Sequence, residues 1–323
     1  MKKKSITGLL AFAVTVVIGG GLLLPVLAEA SLEKESGKVH QIENEKEEPS
    51  DLEQEDPAKE ISLSEEQAEP FIRMGKEAVQ EKLNVPFLES VKPVYQQADS
   101  TGQVFVTWSG PESDAVSAEE NSYYTVEFKD ADIEKGTGTV HSVSVSGSVL
   151  QDLVKELQED AEDNLLKEFS DRPSGDETVY PGLSWEDGSC RVRFLWSGDR
   201  SGDYIFHEAV YEDVDQNHTS GELVYLHSLK SEMANAAVME NLSQEKTEEL
   251  QACAEEYGTG LGYDITGYVD HYKFSDTVYF VFDVNDSRFS QISLALNSSG
   301  ELCGRAVGEN IMEQAMGIVT GKK

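Results

Sequence analysis

Three stretches of the chain alternate apolar and polar positions in the same way. Residues 192–198 read VRFLWSG, residues 104–110 read VFVTWSG, and residues 278–284 read VYFVFDV. Alternation with a period of two is the signature of a β-strand. It puts Val104, Val106 and Trp108 on one face, as it does Val192, Phe194 and Trp196, and Val278, Phe280 and Phe282. The terminal aromatics Trp108, Trp196 and Phe282 follow one another at intervals of 88 and 86 residues. So even a spacing marks a repeated unit.

The residues around each stretch extend the repeat. Ser64-Glu65-Glu66-Gln67 is a capping box, and Ala68, Phe71, Ile72, Gly75, Val79 and Leu83 then recur at helical spacing until Pro86. Strands are predicted over 88–96, 104–108, 123–128 and 139–145. A second helix is expected from a Ser148 cap, with Leu150, Leu153, Val154, Leu157, Ala161, Leu165 and Phe169 as its stripe. Its strands fall over 178–184, 190–196, 204–211 and 223–229. A third helix over 243–257 precedes strands over 265–274, 277–284, 291–296 and 302–307. The turn Ser220-Gly221-Glu222-Leu223 recurs as Ser299-Gly300-Glu301-Leu302, with glycine supplying the positive φ that hairpins use.

The connections are too short for crossover helices, so the sheets are antiparallel. The expected fold is therefore α+β: three tandem units, each one helix packed on a four-stranded antiparallel sheet, over 61–147, 148–238 and 239–312, with a tail over 313–323. The strand faces turned away from the helices carry Phe105 and Thr107, Arg193 and Leu195, and Tyr279 and Val281. These are too apolar for a fully wet face, so they should pack on a neighbouring unit or a partner. Phe105, Leu195 and Tyr279 are the candidate partner-binding residues.

Lys2, Lys3 and Lys4 precede an uncharged run over 6–28, which reads as an export signal. Two alternatives stand. Ala28-Glu29-Ala30 suits cleavage after Ala30, whereas the length of the run suits an uncleaved membrane anchor. Residues 31–60 are rich in Glu, Lys and Ser and poor in large apolar residues, the composition of a disordered acidic linker. The chain of 323 residues has 26 Lys plus Arg against 61 Asp plus Glu, a net charge of −35. That charge excludes nucleic acid as a partner and confines any membrane contact to the N-terminal segment.

The helix start Leu63-Ser64-Glu65-Glu66-Gln67-Ala68 and the Ser-Gly-Glu-Leu turn into a last strand resemble the PepSY and PepSY-like domains of bacterial exported proteins. The match is best over 242–307 and extends more faintly over 61–310, with departures at the long hairpin segments 111–122 and 199–203. Cystatin-type folds look similar. The PepSY resemblance implies a non-catalytic envelope module that modulates peptidases or binds other envelope components, and it offers no catalytic residue to transfer.

Candidate chemistry is sparse. Cys190, Cys253 and Cys303 have no metal-ligand spacing, and free thiols are expected, a Cys253–Cys303 disulfide being the alternative. Between His207 and His218 lie Glu208, Glu212, Asp213 and Asp215, yet the metalloprotease pattern His-Glu-x-x-His is absent. Asp213-x-Asp215-x-Asn217 opens like a calcium loop but has His218 where glycine belongs and Val224 where the closing glutamate belongs. A polar hairpin is expected instead. No cofactor, metal or catalytic residue is assigned. The expected function is that of an exported, non-catalytic cell-envelope protein binding or regulating a protein or peptide partner, such as a peptidase. The alternatives are an envelope hydrolase with its site between repeats, and weak cation binding by the acidic surface.

Overall fold

The computed structural model describes residues 61–98, 102–110, 122–175, 177–200, 203–232, 243–274, 277–312 and 314, with the short paired stretches Ala13–Val14 and Pro25–Val26. Apart from those stretches and Gln314, the expected signal or anchor, the acidic linker and the C-terminal tail lie outside the described residues. No helix among the described residues is long and apolar enough to cross a membrane.

Helix α1 (Glu65–Leu83) begins at the predicted capping box: Ser64 Oγ accepts from the Gln67 N–H, and Gln67 Oε1 accepts from the Ser64 N–H at 3.1 Å. It ends at Asn84 in the left-handed conformation, φ 51°, which asparagine tolerates. A short strand β1 (Ile61–Ser62) precedes it, and β2 (Lys92–Ala98), β3 (Val104–Gly110), β4 (Ser122–Asp132) and β5 (Thr137–Gly147) follow as an antiparallel meander. The first strand of the meander thus starts later than the 88–96 expected.

Helix α2 (Lys155–Phe169) also starts later than a Ser148 cap would have it. Gly147 takes a φ of 99°, Ser148–Leu150 forms one 3-10 turn, and the Ser148 hydroxyl lies 3.2 Å from that of Ser122. A hydroxyl turned back to the preceding sheet is not available as the cap. Strands β6 (Thr178–Glu186), β7 (Ser189–Arg200), β8 (Asp203–Glu212) and β9 (Glu222–Glu232) form the second meander. Helix α3 (Gln244–Gly260) leads into the third, β10 (Ile265–Phe274), β11 (Thr277–Val284), β12 (Gln291–Leu296) and β13 (Leu302–Gly308).

The expectation of three tandem helix-on-sheet units is overturned at this level. Among the described residues, β1 to β13 all belong to one antiparallel sheet, in the order β10-β11-β12-β13-β9-β8-β7-β6-β5-β4-β3-β2-β1, with α1, α2 and α3 packed on it. Strand β5 pairs with β6 from Ser142↔Glu186 to Ser146↔Gly182, and β9 pairs with β13 from Tyr225↔Gly308 to Leu229↔Gly304. The cause is edge satisfaction: a four-stranded meander leaves two rows of unpaired backbone groups, and joining meanders removes them. The first two meanders join last strand to first, the second and third last to last, so the third runs reversed.

The helix-side residues form one contiguous core. Phe71 meets Phe128 edge-on at 5.4 Å, Phe87 meets Trp108 at 5.2 Å, and Phe194 lies 5.6 Å from Trp196. Each such buried side chain contributes on the order of 1.5–3 kcal/mol. Gly75 is required where α1 crosses Trp108, because a Cβ there would stand 2.5 Å from the indole.

Candidate binding surface

With α1, α2 and α3 on one side, the other side of the sheet carries, among the described residues, only the helical turn at Ile311, Met312 and Gln314, which packs on Val210, Tyr225 and Val281. The registers order its side chains in rows across the strands. One row runs Thr107, Thr125, Ser144, Ser184, Arg191; the next runs Ser109, Tyr123, Ser146, Gly182, Arg193, Val210, Tyr225, Gly308. A third runs Tyr180, Leu195, Glu208, His227, Ala306, Ser293, Val281. The β3–β6 half is thus hydroxyl-rich and half-buried, while the β7–β13 half is aromatic and buried.

Phe105, Leu195 and Tyr279 all lie on this face, opposite α1, α2 and α3, but the structure does not bring them together. Leu195 stands four strands from Phe105, roughly 19 Å, and five from Tyr279, roughly 24 Å, at the usual strand spacing. Their exposures are 7%, 3% and 2%. A partner on this face therefore meets half-buried side chains such as Tyr123, Tyr180, Tyr204 and Phe206 first.

The buried half is built over small residues. Gly304, Ala306 and Gly308 in β13 and Ser293 and Ala295 in β12 leave a trough into which flanking side chains lean. The rings of His227 and Tyr279 are 5.7 Å apart although their strands are three steps apart, roughly 14 Å on a flat sheet. Tyr279 stacks on Tyr272 at 4.7 Å, and Ile311 and Met312 pack with Tyr225, Val210 and Val281. In this trough Arg193 Nη2 approaches Glu208 Oε1 to 2.5 Å. Among the described residues Arg193 Nε, Glu208 Oε2 and His227 Nε2 have no hydrogen-bond partner. Burial above all, with His207 and Arg193 nearby, holds the His227 imidazole down to about 3. Burial likewise pushes the Tyr225 and Tyr272 hydroxyls upward, the Glu208 carboxylate adding to both.

The histidine-rich stretch separates into three environments. His207 is wholly buried on the helix side of β8, its Nε2 3.8 Å from Asp171 Oδ2 and 3.9 Å from Glu177 Oε2. Arg200 clamps both carboxylates, with Nη1 2.9 Å from Asp171 Oδ1 and Nη2 2.5 Å from Glu177 Oε1. Burial lowers the His207 pKa; Asp171 and Glu177 oppose that, and Arg200 adds to it. His218, also buried, donates from Nε2 to the Leu83 carbonyl at 2.7 Å. The calcium-like residues form a turn closed on itself. Asp215 accepts from the N–H groups of Asn217 and Thr219 and from the hydroxyls of Thr219 and Ser220, which hold its carboxyl down to about 2. No group of three or more His, Cys, Asp or Glu among the described residues could hold a metal ion.

No disulfide joins Cys190, Cys253 and Cys303, all three of them half-buried. Cys190 Sγ contacts the Lys82 carbonyl at 3.8 Å, and Cys303 Sγ that of Ala295 at 3.2 Å. Sequence reasoning missed the Arg193–Glu208 pair and His227. The signal was present: Arg193 interrupts the apolar run VRFLW, and Glu208 precedes Ala-Val-Tyr, charges at mid-strand positions facing away from the helices.

No family model matches the chain, and no curated protein or solved structure is similar to it.

Proposed function

We propose that the chain is an exported, non-catalytic cell-envelope protein that binds or regulates a protein or peptide partner, a peptidase being the class the PepSY resemblance implies. The observation that carries this reading is the sheet face opposite α1, α2 and α3. There half-buried Tyr123, Tyr180, Tyr204 and Phe206 share one continuous sheet with the hydroxyls of Ser142, Ser144, Ser146 and Ser184. Tyrosine supplies rigid amphipathic contact area and serine adaptable hydrogen bonding, the chemistry of protein-binding surfaces. The net charge of −35 favours neutral or cationic partners. Export rests on the N-terminal pattern.

One observation favours a second reading, a hydrolase. Arg193, Glu208, His227 and the tyrosines of the trough sit where the second and third meanders meet. Their protonation states oppose it. A general base works best with a pKa near the operating pH, whereas His227 is held at about 3 and the Tyr225 and Tyr272 hydroxyls are raised.

The test passes membrane and wall extract over the immobilised full chain and identifies retained proteins by mass spectrometry. A single saturable protein or peptide, lost with Tyr180→Asp and Tyr204→Asp, is the expected result. Nothing saturable, or retention indifferent to both changes, overturns the reading. Peptide or ester turnover abolished by His227→Phe would move the assignment to the hydrolase.

A further inference from the structure

Twice in this fold the C-terminal end of a helix is clasped by the meander that follows the helix's own. The end of α1 is held by the His218 contact to Leu83, by Asn84 Nδ2 donating to the Gln216 carbonyl at 3.1 Å, and by Lys82 over the Trp185 ring. The end of α2 is held in the same way. Tyr263 and Arg288 each donate to Glu168 at 2.7 Å, and Arg305 donates to the Phe169 carbonyl at 3.1 Å. The end of α3 is open. Tyr257 and Leu261 there are 39% and 44% exposed, and Glu255, Glu256, Thr259 and Gly260 line a depression along the helix.

Beside that end lies β10, the outermost strand of the sheet among the described residues. A free edge presents unpaired N–H and C=O groups to any further strand, and proteins usually blunt such edges by shortening or with charge. The opposite edge is shortened to the two residues of β1. Strand β10 is ten residues long, and two register shifts, between Ile265 and Gly267 and between Tyr268 and Asp270, leave Thr266 and Val269 as extra residues. Tyr268 and Val269 are 41% and 37% exposed, so the second bulge presents apolar surface at the edge. The sheet has already been extended twice by the same kind of joint, β6 onto β5 and β13 onto β9.

The rim decides the occupant. Glu255, Glu256, Asp264, Asp270, Asp283 and Asp286 are close to this edge in sequence or pairing and all six are exposed, against one exposed lysine, Lys273, in β10 itself. A second copy of a chain with a net charge of −35 would bring like charge to like. We infer that the β10 edge takes up an extended polypeptide segment bearing lysine or arginine, which adds a strand to the sheet. Its backbone pairs with β10, its apolar side chains lie against Tyr268 and Val269, and its cations meet the acidic rim. This adds to the binding function proposed above a second contact, apart from Tyr180 and Tyr204, and rests on that reading.

The probe is the blocked peptide Lys-Val-Lys-Val-Lys-Val-Lys, titrated into the full chain by fluorescence anisotropy at about 50 mM and about 300 mM salt. Binding should saturate, weaken with salt, and fall roughly tenfold or more when alternate peptide nitrogens are methylated. Val269→Asp and Asp270→Lys, both at exposed positions, should each weaken it to a similar degree, while Val269→Thr should retain it. The inference is overturned by equal binding of the Glu-Val counterpart, by indifference to methylation, or by wild-type affinity in both variants. A concentration-dependent dimer lost in Val269→Asp would also overturn it, giving the edge to a second copy. If extract retention through Tyr180 and Tyr204 persists while the peptide fails, the edge inference alone falls. If both fail, the binding function falls with it.

Discussion

His218 Nε2 lies 2.7 Å from the carbonyl oxygen of Leu83, across 135 residues of chain. The last carbonyls of a helix have no partner within it, and here one of them is satisfied by a buried imidazole from the β8–β9 hairpin. The hairpin is therefore a clasp on α1. His218→Phe should leave the Leu83 carbonyl unpaired and cost about 1–3 kcal/mol, read as a lower urea midpoint at neutral pH. An unchanged midpoint would mean that the contact adds nothing to stability.

Acid sensitivity should follow from His227. Its imidazole is held at about 3 against an ordinary 6.5, so below pH 6.5 the unfolded chain binds a proton that the folded chain refuses. Stability is then full above about pH 6.5 and falls as the pH drops below it. At about pH 5 the loss from this group is about 2 kcal/mol. Burial lowers the pKa values of His207 and His218 as well, and both act in the same direction. His227→Phe, with Phe206 and Tyr279 as ring neighbours, should shrink the difference in unfolding free energy between pH 7.5 and pH 5 by about 2 kcal/mol. An undiminished difference would place the sensitivity in other groups.

The parts legible in the sequence were those set by local physics. The Ser64 and Gln67 cap, the alternation around Trp108, Trp196 and Phe282, and the polar turn at Asp215 each depend on residues a few positions apart. What was not legible depends on pairing between distant strands. Alternation in β5 is equally consistent with an edge and with a partner, so nothing local announces that Ser144 will face Ser184, or that Tyr225 will face Gly308. Ser148 looks like a helix cap until Ser122 is placed beside it. The binding surface was legible only as a face. Phe105, Leu195 and Tyr279 were assigned to the correct side of the sheet, but their burial arises from neighbours contributed by other strands.

Arg200 should control the charge state of His207. The Glu177 side chain is fully buried, and Arg200 is its ion-pair partner at 2.5 Å. Burial is the main cause that lowers the His207 pKa; removing the cation as Arg200→Gln takes away the lesser one and leaves Asp171 and Glu177, which raise it. The His207 pKa should rise, as measured by NMR titration of the ring. Stability should fall by about 3–5 kcal/mol where His207 is neutral, the cost of a buried charge without its partner, and by less at low pH where the protonated ring replaces the guanidinium. A His207 pKa unmoved by the substitution would show that the two groups are not coupled.

Two helical glycines should respond to alanine with opposite sign. At Gly75 a Cβ would stand 2.5 Å from Trp108 Cη2, whose ring is wholly buried, and overpacking of this kind costs typically about 1–3 kcal/mol. That loss outweighs the gain of up to about 1 kcal/mol that alanine brings to a helix backbone. At Gly260, the last residue of α3, a Cβ meets nothing within 4 Å, so the backbone gain should appear alone as a few tenths of a kcal/mol of added stability. Gly75→Ala should also shift the tryptophan fluorescence, because the Trp108 ring must move to admit the methyl group, whereas Gly260→Ala should leave it unchanged. A Gly75→Ala chain as stable as the wild type, with unshifted emission, would mean that α1 does not lie as close to Trp108 as the packing here requires.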